Sequence, residues 1–101
     1  MNLSNDKNNE NVNYNIHKLY QNNPNPFNEK TTIYFEVFDG FKLAKIYIYN
    51  LQGEQIKSFN INNSGKGSIE IPSSELKAGI YFYSLFVDNK EIDTYKMILT
   101  K

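Results

Sequence analysis

Apolar and polar side chains alternate with a period of two from Thr31 onward, the signature of strands that bury one face. Over Thr32 to Phe38, Ile33, Phe35 and Val37 share one face, and Thr32, Tyr34 and Glu36 share the other. Asp39-Gly40 breaks that run. Lys42 to Asn50 resumes it, with Ala44, Ile46 and Ile48 opposite Lys45, Tyr47 and Tyr49. Asn50-Leu51-Gln52-Gly53 predicts a hairpin, with Gly53 free to take the positive φ that a short loop demands. Gln55 to Ile61 is the returning strand, with Ile56 and Phe59 expected to point inward.

Ser64-Gly65-Lys66-Gly67 reads as a second breaker, followed by a short strand over Ser68 to Ile71 that Pro72 confines to an edge or ends. Ser73 to Lys77 has room for a single helical turn. Ala78-Gly79 leads into the longest strand, Ile80 to Val87, apolar on nearly both faces and therefore expected in the middle of a sheet. Asp88-Asn89 supplies a tight turn, since both residues tolerate left-handed geometry. Glu91 to Lys101 closes the chain with Met97 and Leu99 inward. With an extended segment near Tyr20, the pattern predicts an all-β fold. It would be an antiparallel, immunoglobulin-like β-sandwich of about seven strands, without the disulfide or core tryptophan of antibody domains.

The stretch Gln21-Asn22-Asn23-Pro24-Asn25-Pro26-Phe27-Asn28 is stiff, because each proline fixes its own φ and pushes the residue before it toward extended geometry. Phe27 follows as an apolar plug. Residues 1–17 are polar and Asn-rich and are expected to be a disordered linker, with the folded unit at 18–101. A recognition tail is the alternative reading of the Asn tract. The N-terminal residues show neither the basic start nor the apolar run of a secretory signal. A stiff opening and a pattern that runs to the last residue suggest a C-terminal module cut from a longer protein.

Composition narrows the chemistry. Eleven basic and eleven acidic residues balance, giving no overall pull toward nucleic acid or anionic lipid. The 101 residues hold no cysteine, which excludes disulfides, thiolate zinc sites and cysteine nucleophiles. No apolar run is long enough for a membrane span. His17 is the single histidine, and no motif pairs it with Ser58, Ser64 or Ser84, so no catalytic residue is assigned. Asp88, Glu91 and Asp93 crowd one turn without calcium-loop spacing, so a solvated hairpin is preferred to a metal site. Gly65-Lys66-Gly67-Ser68 lacks the spacing of a phosphate loop. Tyr47, Tyr49, Tyr81 and Tyr83 are candidates either for a stacking platform or for ordinary packing, and no basic cluster accompanies them. No cofactor is implied.

The order of four blocks carries a resemblance. Leu19-Tyr20-Gln21-Asn22 runs into Pro24-Asn25-Pro26-Phe27-Asn28 and Thr31-Thr32-Ile33. Then come Ile48-Tyr49-Asn50-Leu51-Gln52-Gly53-Glu54, Leu76-Lys77-Ala78-Gly79-Ile80-Tyr81-Phe82-Tyr83, and the closing Lys96-Met97-Ile98-Leu99-Thr100-Lys101. At these spacings the chain resembles the type A C-terminal sorting domain of the type IX secretion system of Bacteroidetes. The resemblance implies a non-catalytic address tag behind an N-terminal cargo. Such a tag passes through the periplasm, is read by the outer-membrane type IX translocon, and directs the cargo to the cell surface or beyond. A sortase-like peptidase then removes it or exchanges it for a surface anchor, with cleavage upstream of Leu19. Lys96, Met97, Ile98, Leu99, Thr100 and Lys101 are the expected translocon contacts, as a terminal strand that ends free. Pro24, Asn25, Pro26, Phe27, Gly53, Gly79 and Tyr81 are the expected structural residues. Gly65-Lys66-Gly67-Ser68-Ile69 with Ile92-Asp93-Thr94 resembles a subgroup at the ends of tail-fibre-like proteins. The alternative function is therefore a surface or fibre-protein binding and assembly module.

Overall fold

A computed structural model describes residues 16–101. Seven strands follow one another: β1 (Lys18–Leu19), β2 (Lys30–Val37), β3 (Ala44–Tyr49), β4 (Gln55–Ile61), β5 (Gly65–Pro72), β6 (Gly79–Val87) and β7 (Lys90–Leu99). One 3-10 turn, Ser73–Glu75, is the only helical element among the described residues. The strands form two sheets, β1-β2-β5 and β4-β3-β6-β7, and every neighbouring pair is antiparallel. The chain is thus an all-β, two-sheet antiparallel sandwich. In a constant-type immunoglobulin domain the fourth strand pairs with the fifth; here β4 pairs with β3.

The period-two pattern produces the core directly. Ile33, Phe35 and Val37 from β2 share one core with Ala44, Ile46 and Ile48 from β3, Tyr83 and Leu85 from β6, and Met97 and Leu99 from β7. β6 lies between β3 and β7, as its two-sided apolar character requires. Its hairpin to β7 turns on Asp88 and Asn89, with φ of 50° and 67°, the left-handed pair of a two-residue loop whose twist matches the strands. Asp88 also ties this hairpin to the loop before β3: its Oδ1 accepts from the N–H of Lys42 at 2.8 Å and of Leu43 at 3.0 Å.

Three expectations need correction. β5 begins at Gly65 and not at Ser68. The glycines that read as a breaker are strand residues, because Gly67 pairs with Phe35 and makes room for its ring. A Cβ at Gly67 would stand 2.5 Å from Phe35 Cζ. Pro72 still falls on an edge strand. Ile56 points outward and is 39% exposed. Lys57, Phe59 and Ile61 pair with the inward Ile48, Ile46 and Ala44 and share their face, so alternation sends Ile56 outward, where it is the extra residue of a bulge opposite Ile48 and Tyr49. Lys57 reaches Glu75 at 3.0 Å. Finally, the four tyrosines do not share a face. Tyr81 and Tyr83 are buried, and Tyr47 and Tyr49 stand on the outer face, where Tyr47 meets Phe86 edge-on at 5.4 Å.

Candidate recognition site

The C-terminal strand does not end free. Residues 21–28 run along the outer edge of β7 as a strap and occupy the backbone groups of its last turns. Phe27 N–H donates to Ile98 O at 2.9 Å, and Thr100 N–H donates to Phe27 O at 2.8 Å. Between them, Asn25 Oδ1 accepts from Ile98 N–H at 2.9 Å. Gln21 Nε2 donates to Lys96 O at 2.8 Å. The Lys96 C=O, both backbone groups of Ile98 and the Thr100 N–H are thereby paired, which covers an edge that would otherwise invite another strand. The parallel bridge Phe27↔Leu99 fixes the register.

The sequence builds the strap from the inside out. The Asn23-Pro24 and Asn25-Pro26 peptide bonds are both cis. Prolines carry no N–H, so neither Pro24 nor Pro26 leaves a donor stranded at the bend. Asn22 is buried, and its Nδ2 donates to Thr31 Oγ1 at 2.9 Å and to Pro24 O at 3.2 Å. Thr31 Oγ1 in turn donates to Pro24 O at 2.7 Å. Buried polar groups persist only when partnered, and this closed set is partnered internally. Phe27 inserts its ring into the core at 2% exposure, which holds the strap's far end. Tyr83 holds the near end: its phenol donates to Tyr20 O at 2.7 Å. Burial pushes the Tyr83 pKa far above its ordinary value of 10.0, against the opposing effect of the Asn22 backbone hydrogen bond.

The expected contact residues divide by parity. Met97 and Leu99 are core residues at 0% and 2% exposure, so the folded domain does not offer them to a partner. Lys96, Thr100 and Lys101 are exposed and Ile98 is half-buried. Lys101 folds back so that its Nζ donates to Leu76 O at 2.5 Å. The structural residues act as backbone and packing elements. Gly53, at φ +88°, completes the β3–β4 hairpin with its N–H on Asn50 O at 3.0 Å. Asn50 Oδ1 also accepts from Gln52 and Glu54 N–H. Gly79 opens β6 at φ +156°. Tyr81, two residues on, is buried and donates its hydroxyl to Lys77 O at 2.5 Å.

The remaining chemical candidates are dispersed. His17 Nδ1 accepts the Phe38 N–H at 3.2 Å. Asp88 faces Lys42 and Leu43, whereas Glu91 meets the Thr94 hydroxyl. Asp93 turns to the Thr94 N–H at 2.8 Å. Among the described residues, no three His, Asp or Glu side chains converge to hold a metal. A concavity of about 610 Å³ between residues 39–45 and 60–64 is lined by Asp39, Lys42 and Ser64 and does not include His17. Sequence reasoning missed the roles of Gln21, Asn22 and Thr31. The available signal was four amide side chains, Gln21, Asn22, Asn23 and Asn25, beside two prolines, which is a hydrogen-bonding inventory larger than a bare turn needs.

No curated protein matches the chain. The family model for the secretion system C-terminal sorting domain matches residues 18–100, from the first strand through the strapped end of the last. Every motif residue of the strap, the Gly53 hairpin, the β6 start and the terminal strand except Lys101 lies within that span. The chain therefore belongs to the C-terminal sorting domain family of type IX secretion.

Proposed function

We propose that this domain acts as a folded, non-catalytic label that carries an N-terminally attached cargo across the outer membrane through the type IX translocon. Family membership over residues 18–100 carries the reading. The domain folds in the periplasm as residues 18–101, and residues 1–17 link it to the cargo. A sortase-like peptidase cuts upstream of Leu19, and the cargo is released or receives a surface anchor. The translocon reads the closing strand through the exposed Lys96 and Thr100, the half-buried Ile98 and the terminal Lys101, whose ammonium is held on Leu76 O. Met97 and Leu99 set the strand's position from below. Neither nucleic acid nor membrane insertion enters this scheme, and the work is done by shape and side-chain pattern.

The test is a reporter fused ahead of residues 18–101 in a host with type IX machinery. Surface delivery is the expected result, and retention of the reporter in the periplasm overturns the sorting role. Deleting residues 96–101 would remove core side chains, so a surface variant separates recognition from folding. Lys96→Glu, at an exposed side chain, should melt within a few degrees of the wild type yet trap the reporter. Unchanged export by this variant would remove the closing strand from the recognition surface.

A second reading, a surface or fibre assembly module, draws on one observation. Tyr47, Tyr49, Phe82 and Phe86 lie half-buried on the outer face of the four-stranded sheet. A domain that binds glycan or a sister subunit through this face, with no effect on export, would establish that reading instead.

A further inference from the structure

Among the described residues, no segment pairs with the outer edge of β5. The ladder shows which groups that edge presents. Tyr20 N–H donates to Tyr34 O, and Asn23 and Thr32 exchange both of their backbone bonds. Tyr34 and Thr32 therefore turn their backbone toward the β1 side, and Ile33 and Phe35 turn theirs toward β5. Their partners Ile69 and Gly67 complete that ladder. By alternation, Lys66, Ser68 and Glu70 aim their N–H and C=O groups at the open edge. Pro72 belongs to the same outward set, so its missing N–H costs the β2–β5 ladder nothing.

The side chains of Lys66, Ser68 and Glu70 are exposed on the outer face of the sheet. Edge lysines ordinarily repel a second identical strand. In one register they do the opposite. With β5 antiparallel to its own copy about a two-fold axis at Ser68, Lys66 stands across from the partner's Glu70, and the contact occurs twice by symmetry. An axis moved to Lys66 or to Glu70 would set like charges face to face. We propose that the outer edge of β5 pairs antiparallel with β5 of a second copy about Ser68, joining two three-stranded sheets into one. Glu70 exchanges its exposed contact with Lys30, 3.3 Å away, for the partner's Lys66. A contact confined to one strand edge lies below the roughly 1,200 Å² of a stable standard interface, so the pairing is concentration-dependent.

Sedimentation equilibrium on the full chain tests this. The wild type should dimerise reversibly, and Glu70→Lys should weaken association by about tenfold through like-charge pairs directly opposite. Lys66→Glu should weaken it equally, and the double variant Lys66→Glu/Glu70→Lys should restore it. The chain has no cysteine, so Ser68→Cys gives an unambiguous second readout. Its two sulfurs face each other across the axis, with Cα atoms about 5.5 Å apart, within disulfide range. Oxidation should yield a covalent dimer with the wild-type melting profile. A chain that stays monomeric at about 1 mM, above the range of weak specific contacts, overturns the proposal. So does a dimer indifferent to the single charge reversals, a double variant that stays weak, or Ser68→Cys that fails to cross-link.

Discussion

Replacing Phe27 by alanine removes the one large apolar side chain of the strap. Its ring is 2% exposed and is held from both sides by the backbone bonds of Phe27 to Ile98 and Thr100. Truncating a buried phenylalanine costs about 3–5 kcal/mol, the transfer term plus the cavity that remains. Against a typical total of about 5–15 kcal/mol for a domain of this size, that is about a fifth of the stability or more. Each kcal/mol shifts the midpoint by about 4–8 °C at this chain length, so Phe27→Ala should melt at least ~12 °C below the wild type.

The assay is urea unfolding followed by far-ultraviolet circular dichroism, with amide exchange resolved at Ile98 and Thr100. Loss of the ring should release the strap before the sandwich. Protection at those two amides should then fall further than protection in β3 or β6. Phe27→Leu, which keeps most of the apolar volume, should lose well under half as much. A loss below about 1 kcal/mol, the scale of an ordinary surface substitution, would refute the argument that Phe27 anchors the strap. Unchanged exchange at Ile98 and Thr100 would refute it equally.

Tyr83→Phe should cost about 1–2 kcal/mol by leaving Tyr20 O without its donor, read from the same urea titration. It should also change the alkaline limb. Burial raises the Tyr83 pKa in the folded state, so the folded protein holds the proton more tightly than the unfolded chain. That stabilisation is complete below pH 10 and is lost as pH climbs through the folded value. Tyr95, raised first by burial and then by the charge of Asp93, acts in the same direction. A variant with an undiminished alkaline slope would exclude Tyr83 as its source. Asp88 is held below its ordinary 3.8, chiefly by the Lys42 N–H and next by that of Leu43. Its contribution is present above that value and fades as pH falls through the depressed one. Asp88→Asn should keep the turn and flatten this acid step, and identical acid titrations would remove the assignment. Gly67→Val should lose about 1–3 kcal/mol by overpacking against Phe35. Phe35→Leu in the same chain should recover part of that loss in a double-mutant cycle.

Much of the fold was legible because β2 and β3 keep strict alternation, β6 is apolar on nearly both faces, and the chain punctuates its strands with Asp39-Gly40, Asn50 to Gly53 and Asp88-Asn89. Side-chain type misled in β4. Ile56 is apolar and sits in a strand, yet alternation from Phe59 and Ile61 sends it outward and turns Lys57 in. Only the pairing with Ala44, Ile46 and Ile48 settles which set of β4 faces the core. Gly67 was misread for a related reason: glycine is a breaker on its own, but it is a strand residue when a facing aromatic ring needs the space. The strap was the least legible element. Its bonds join residues 71 to 75 positions apart through amide side chains, and nothing in local periodicity marks which backbone an asparagine will reach.

That pairing decides how the label can be read. An unpaired terminal strand would invite a partner to add a strand of its own, with backbone bonds supplying the affinity. Here Gln21, Asn25 and Phe27 already occupy the outward groups of Lys96, Ile98 and Thr100. A partner that adds a strand must first expel the strap and with it a buried Phe27. A partner that reads the outward side chains meets no such barrier. The two modes differ in one measurable way. Strand addition makes strap-weakened variants such as Asn25→Ala better substrates for export, because less must be displaced. Side-chain reading makes them equal or worse, because the strand loses its fixed position. Export efficiency of Asn25→Ala should therefore match or fall below the wild type. A clear gain would show that the strap is a cover removed during recognition.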